Sequence, residues 1–474
     1  MKTLLRSALL FLGSVCSVMK ASAQDSLLPK KILSIDDFTA IIKSYHPVIR
    51  QAELQVQQAE ANITLARGGF DPLFTYSSDQ KTFNGTDYYQ YNDARLKIPT
   101  WYGIELSTGL ENNAGNFINS EYTLGQSSFV GVSVPLARNL LMDKRRATLQ
   151  QAKLFSKQSQ SDRANTVNNL LFEAYDTYWN WAREHYVLQI LTDAVRINEE
   201  RFALVKTGFR QGDRPAIDTT EALAQLQLFR FEQAECRVRL KNTAVDLSNY
   251  LWLANNRYYE VDESVKPDES WNKRIVDTMT VPPLNELLYT ARITHPKLRV
   301  VDFKLQQLEI DRKLKFQNLL PVVNVKANLL NKGYNVWKGV GSGFYENNNK
   351  FGVDIGIPLR LSEGRGSYKM AKLKLAETGL AYSLQEQEIA NKVRQYYNEV
   401  MGLQQQVRIY EQATDNYATL LRGEDTRFKA GESSLFLLNT RENKLLEARQ
   451  KLITLKTKFF KSRYGLLWAA GQLR

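Results

Sequence analysis

Three histidines, two cysteines and one glycine-rich run are the residues whose types could carry catalysis or metal binding. None stands in a pattern that does either. His46-Pro47 and His295-Pro296 stand 249 residues apart, so these histidines read as a repeated helix-ending device rather than as ligands. His185 sits in a helical heptad with no Cys or His neighbour. Gly339-Val340-Gly341-Ser342-Gly343 lies between strands with no helix after it, and reads as a loop, not a phosphate cradle. No Gly-x-Ser-x-Gly, Walker or HExxH motif is present. Cys16 falls in an apolar leader, which leaves Cys236 without an intrachain disulfide partner. The expectation is a protein that is not an enzyme and holds no metal or cofactor, so its chemistry must lie in recognition and passage.

Recognition points to two short stretches of one pattern. Phe209-x-x-Gly212-Asp213 and Phe428-x-x-Gly431-Glu432 each combine an aromatic, a glycine and an acid. Glycine permits a positive φ that a continuing helix would not use, so the chain reverses at each. Long heptads flank both tips. Val393, Val400, Leu403 and Val407 precede the second tip, and Leu438, Leu445, Leu452 and Phe459 follow it. Val167, Leu171, Ala174, Tyr178 and Trp181 precede the first, and Ile217, Ala224, Phe231, Val238 and Val245 follow it. A period of 3.5 predicts coiled-coil packing. Residues 142–206 contain neither proline nor glycine, and at 1.5 Å per residue would make a helix roughly 100 Å long.

The elements that carry these tips are duplicated. Pro72 and Pro321 repeat the 249-residue spacing of the His-Pro pairs. After each, the period changes to two: Phe74 and Tyr76, Leu106 and Leu110, Val132 and Val134 in the first half, then Val323 and Val325, Phe351, Val353 and Ile355 in the second. Alternation with polar or small residues suits a barrel with a wet lumen and a lipid exterior. A half-buried soluble sheet gives the same alternation. Trp101, Tyr102, Tyr88, Tyr89, Tyr91, Tyr334, Trp337, Phe344 and Tyr345 cluster at strand ends and loops, where interfacial girdles lie. Val132-Ser133-Val134-Pro135-Leu136 and Ile355-Gly356-Ile357-Pro358-Leu359 end the strand regions, proline stopping the ladder each time.

Strand candidates lie near 70–81, 86–98, 102–112 and 126–135 in the first half and 322–332 and 350–357 in the second. The chain enters and leaves the strands from the same end, so each half needs an even number. The expectation keeps two of the first half's four in the barrel, without specifying which, and treats the others as a hairpin or loop elaboration. About four strands per chain cannot close a barrel, since the smallest close at roughly eight. Open edges are not tolerated in lipid, so such a chain must oligomerise.

The sequence has 474 residues and a net charge of +13. Residues 1–23 read as a secretory signal peptide: Lys2 and Arg6, an apolar run, then Ala21-Ser22-Ala23. No later stretch is apolar for 18 residues, so membrane insertion would be by strands. Basic residues are mixed with acids along the helices, which argues against nucleic-acid binding. The expected division is a first structural repeat over 24–254, a linker over 255–281 and a second repeat over 282–474.

The two halves, the paired tips and the X-Pro-Leu strand exits at Pro135 and Pro358 together resemble the TolC family of outer membrane efflux proteins, over nearly the whole mature chain. The resemblance implies a mainly α fold with a transmembrane β part. In it, duplicated coiled-coil helical hairpins form a periplasmic α-barrel continuous with a trimeric outer membrane β-barrel. It implies a homotrimer in outer membrane lipid that works with a periplasmic adaptor and an inner-membrane pump. It places Phe209, Gly212, Asp213, Phe428, Gly431 and Glu432 at the adaptor-facing tip, and Asp218 in the network that closes the entrance. The family's constricting aspartate pair falls on Leu437 and Thr440 here. That puts an acidic ring in question and leaves apolar closure at Leu437 open. The competing class is a periplasmic structural coiled-coil protein without a pore, against which the period-two segments with aromatic ends argue.

Overall fold

A computed structural model describes residues 31–273, 280–335 and 347–474. The expected leader over 1–23 with Cys16, the aromatics Trp337, Phe344 and Tyr345, and the glycine run 339–343 lie outside the described residues.

The long helices among the described residues are α1 (Ile35–Tyr45), α2 (Pro47–Arg67), α3 (Lys144–Arg210), α4 (Ala216–Ser248), α5 (Leu284–Thr294), α6 (Pro296–Gln317), α7 (Ser362–Lys429) and α8 (Leu435–Ala469). Six strands longer than two residues accompany them among the described residues: β1 (Leu73–Phe83), β2 (Thr86–Pro99), β3 (Glu105–Ala114), β4 (Gly125–Pro135), β5 (Val322–Lys332) and β6 (Asn349–Gly356). Both halves follow one order: short helix, helix, strands, long helix, tip, returning helix. Capping starts α1, where Ser34 Oγ accepts from Asp37 N at 3.1 Å. His46 and His295 end α1 and α5, their N–H groups donating to the Ile42 and Ala291 carbonyls, and a proline begins the next helix each time. No helix among the described residues is long and apolar enough to cross a membrane.

The chain divides into two compact units, and each half contributes to both. The first holds residues up to 53, 163–296 and 386–474. Its core is aromatic. Phe38 packs 5.4 Å from Tyr178, whose hydroxyl donates to the Leu33 carbonyl at 2.9 Å. Trp179 stacks on Phe460 at 4.6 Å, and Trp271 meets Phe460 and Tyr186 edge-on. Trp271 lies within the expected linker, which also pairs Lys266–Pro267 in parallel with Ile32–Leu33. Two-residue strands carry no periodicity, so the sequence alone does not announce them.

The second unit, residues 54–162 and 297–385, contains the six-stranded sheet, ordered β6-β5-β4-β3-β2-β1 and antiparallel throughout. The expectation set two of the first half's four strands apart from the barrel as a hairpin or loop elaboration; instead all four pair in one sheet with the two of the second half. The β1–β2 turn is Asn84-Gly85, with φ of 49° and 75°, the positive values a tight two-residue hairpin requires. The registers sort the side chains onto two faces. Leu106, Val132, Ala327 and Phe351 share one cross-strand row, and Phe74, Leu96, Thr108, Val130 and Leu329 share the next on the same face. The opposite face carries Asp93, Arg95, Lys97, Glu105, Glu111, Lys326 and Asp354. There Lys326 and Asp354 pair at 2.7 Å and Arg95 lies 5.1 Å over the Phe129 ring. Pro135 ends β4, although Leu136 N still donates to the Val323 carbonyl at 2.7 Å. Pro358 follows two residues beyond the end of β6.

Candidate functional site: the paired helix tips

Both tips use the same hydrogen-bond closure. At the first, Asp213 N donates to the Gly208 carbonyl at 2.9 Å and Gly212 N to that of Phe209 at 3.1 Å. At the second, Glu432 N donates to Arg427 O at 2.9 Å and Gly431 N to Phe428 O at 3.2 Å. This is the Schellman pairing, 6→1 and 5→2, built around a left-handed residue. Gly212 and Gly431 have φ of +82° and +77°. A Cβ added to either would meet nothing within 4 Å, so the demand for glycine is conformational rather than steric. Both returning helices start immediately after. Ser434 caps α8 by accepting from Leu437 N at 3.3 Å, whereas Pro215 precedes α4 without a side-chain cap.

The two aromatics, alike in sequence, differ in place. Phe209 is 44% exposed, while Phe428 is 9% exposed and packs with Val205, Ala222, Leu435 and Leu438 in a core shared by the two hairpins. Phe428 thus differs from the surface role expected of it. A flat aromatic at a junction of four helices buries more apolar area there than at a solvent-facing turn. The guanidinium of Arg214 lies 4.2 Å from the Phe428 ring centroid and 3.4 Å from Asp218 Oδ2. Arg214 therefore ties one tip to the other, and Asp218 neutralises it within the same chain. Sequence reasoning passed over Arg214. The available signal was a cation beside a helix N-terminus, unfavourable there unless an acid such as Asp218 stands one turn on.

A buried polar network lies beneath the tips. Arg201 on α3 reaches Glu442 on α8 through two bonds, of 2.6 and 3.2 Å, with both side chains largely shielded. Asn198 donates to Glu442 at 3.1 Å, and Asn439 donates to Glu221 on α4 at 3.1 Å. Gln225 donates to Asn443 at 2.6 Å. These contacts clamp the hairpins together. Glu424, also buried, accepts from Ser433 Oγ.

Of the other expected site residues, Gly212, Asp213, Gly431 and Glu432 lie exposed at the turns. Leu437 and Thr440 are exposed on the first turns of α8, Leu437 by 42%. Leu437 stands 219 residues after Asp218, the same spacing as the tip glycines, and beside it Ile217 and Phe436 form a similarly exposed apolar pair. Burial lowers the pKa of His46, against a backbone hydrogen bond at Asn249 that raises it, and its Nδ1 accepts from Val48 N at 3.3 Å. That is a structural role. Among the described residues, no group of three or more His, Cys, Asp or Glu could hold a metal ion.

A family model described as outer membrane efflux protein matches residues 42–251 and 287–472, most of both halves. No curated protein sequence matches the chain. Solved structures share its fold at low identity. The Campylobacter jejuni CmeC outer membrane channel superposes with a TM-score of 0.64 at 14% identity, covering 92% of this chain and 85% of that one. The outer membrane protein VceC of Vibrio cholerae gives 0.64 at 14%, covering 92% and 96%. The open state of the Neisseria gonorrhoeae MtrE outer membrane channel gives 0.63 at 14%, covering 93% and 89%.

Proposed function

Because the chain belongs to the outer membrane efflux protein family, we propose that it is the exit duct of a tripartite export system. It takes substrates from a periplasmic adaptor and an inner-membrane pump and conducts them passively across the bacterial outer membrane. The observation that carries this reading is the sheet with one apolar and one charged face. Phe74, Phe351, Val353 and Ile355 stay exposed on the apolar face, as an exterior in lipid requires and a soluble sheet would avoid. The reading without a pore offers no use for that face. Fractionation tests the choice: the protein should need detergent for extraction from outer membranes. Recovery in the soluble periplasmic fraction would overturn the proposal.

A homotrimer is supported by the first returning helix. Ile217, Ala224, Phe231, Val238 and Val245 recur every seven residues along α4, yet the four large apolar residues among them are 54–68% exposed. A coiled-coil seam left open within one chain is complete when a second copy covers it. Residues 1–23 are read as a cleaved export leader, with structural repeats over 24–254 and 282–474.

At the tips, Phe209, Gly212, Asp213, Gly431 and Glu432 form the adaptor-facing surface, with Phe428 supporting them from within. Replacing Gly212 or Gly431 with valine puts a β-branched residue at positive φ, at about 1–3 kcal/mol. The strands lie in the other compact unit. Trimers should therefore still form and insert, while export fails. Normal export by both variants, measured beside trimer yield on unheated gels, would show the tips to be ordinary turns. The entrance closes on apolar side chains, a reading supported by exposed Leu437, Ile217 and Phe436 and by the engagement of Asp218 with Arg214. Leu437→Asp should accordingly raise resting conductance in planar bilayers more than Asp218→Ala does. The reverse order would assign closure to charge.

A further inference from the structure

We infer that three copies close a single barrel of eighteen strands, with β1 of each copy pairing antiparallel to β6 of the next. The inference rests on the homotrimeric channel reading and adds the barrel's size and the surface that joins the copies. Every strand from β6 to β1 is hydrogen-bonded into one sheet, so no strand pair stands apart as an elaboration. The two outer strands, β1 and β6, are the free edges among the described residues. With six antiparallel strands per chain, β1 and β6 run in opposite directions, so the edge of one copy matches the opposite edge of another without any reversal. In lipid both edges must be paired.

The apolar face shows how the closure is inclined. Its band runs over 351–355 on β6, 323–329 on β5, 130–134 on β4, 106–110 on β3, 94–98 on β2 and 74–76 on β1. Followed through the registers, the middle of the band climbs about one residue per strand. A climb of about 3.3 Å for each 4.8 Å step across the sheet corresponds to a strand tilt of about 35°. That lies within the 35–45° of transmembrane barrels. The tilt therefore follows from the hydrogen-bond register and the apolar pattern alone.

Continuing the same climb across the junction sets Tyr76 of one copy opposite Val353 of the next, and Phe74 opposite Ile355. The apolar belt then passes between copies without interruption. Between those pairs, Thr75 and Asp354 meet on the charged face. At equal tilt, the circumference is half again that of a barrel built from four strands per chain. The lumen would admit correspondingly bulkier solutes.

Disulfide capture between copies tests this in the full-length protein extracted from outer membranes. Thr75→Cys with Asp354→Cys, and separately Ser77→Cys with Gly352→Cys, would be oxidised and run on denaturing gels. An added side chain at Gly352 meets nothing within 4 Å, and Cys236 is buried, so the background is suitable. The expected result is a covalent species of three times the monomer mass from each pair, and monomer alone from each single cysteine. Ser107→Cys with Asp354→Cys provides the contrasting arm. If that pair links while the first two do not, β3 is the joining edge, the barrel has four strands per chain, and the inference is overturned with the channel reading intact. Conducting trimers that none of the pairs can link would also overturn it. A protein that is not trimeric in membranes would instead overturn the channel reading on which it rests.

Discussion

Glu442→Ala should destabilise the paired hairpins by about 3–5 kcal/mol, because it strands the Arg201 guanidinium in a shielded site. The loss is not confined to one contact. Arg201 keeps only weak alternatives, the Asn439 and Asn198 side-chain oxygens at 3.4 and 3.3 Å, and Asn198 loses its Glu442 acceptor. A buried group left without its partner costs more than the pair contributed, so replacing both partners is milder than replacing one. Arg201→Met combined with Glu442→Leu, of similar volume and without charge, should recover most of the loss. Urea unfolding followed by the helical circular dichroism signal would read both. An unchanged midpoint for Glu442→Ala would show that the pair is solvated in the assembled protein and contributes little.

What could be read in the residues, and what could not, divides along the range of the interactions. The tips were legible because a Schellman closure is local: a glycine, with an acid after it, ends a helical heptad. The strands were legible because alternation is local too. Pairing is not local. Nothing in the period of 73–83 or 86–99 says that these strands continue the sheet of 125–135 and 322–332, so alternation alone did not show that all six join one sheet. The Arg201–Glu442 pair spans 241 residues and joins an exposed-looking cation to an exposed-looking acid in helices rich in both. Phe428 and Phe209 occupy equivalent positions of a repeated motif, yet one is core and the other surface. Their difference lies in the partner hairpin: Arg214 covers Phe428, whereas its counterpart after the second tip, Ser433, is too short to reach an aromatic. Duplication predicts equivalent backbones, but the side chains that cover them diverge.

The face proposed to meet lipid gives the test with the clearest sign. Val132 stands at the middle of the apolar band on β4, between Leu106 of β3 and Ala327 of β5. Val132→Arg there should cost about 2–4 kcal/mol, the range for a cation at the bilayer midplane of a barrel. On a sheet facing water the same substitution would stay within about 0.5 kcal/mol. The neighbouring Ser133→Arg is the control. Its side chain points to the opposite face, in the cross-strand row of Glu105 and Lys326, where a further cation finds an acid and water. The expected result is a sharp loss of assembled trimer in outer membranes for Val132→Arg and near-normal assembly for Ser133→Arg. A shift of register by one residue would exchange the two outcomes, because the side-chain period of a strand is two. The pair of variants therefore tests the β3–β4–β5 register and the lipid assignment together. Equal assembly of both would mean that neither face meets lipid, and the efflux-channel reading of the sheet would fall with it.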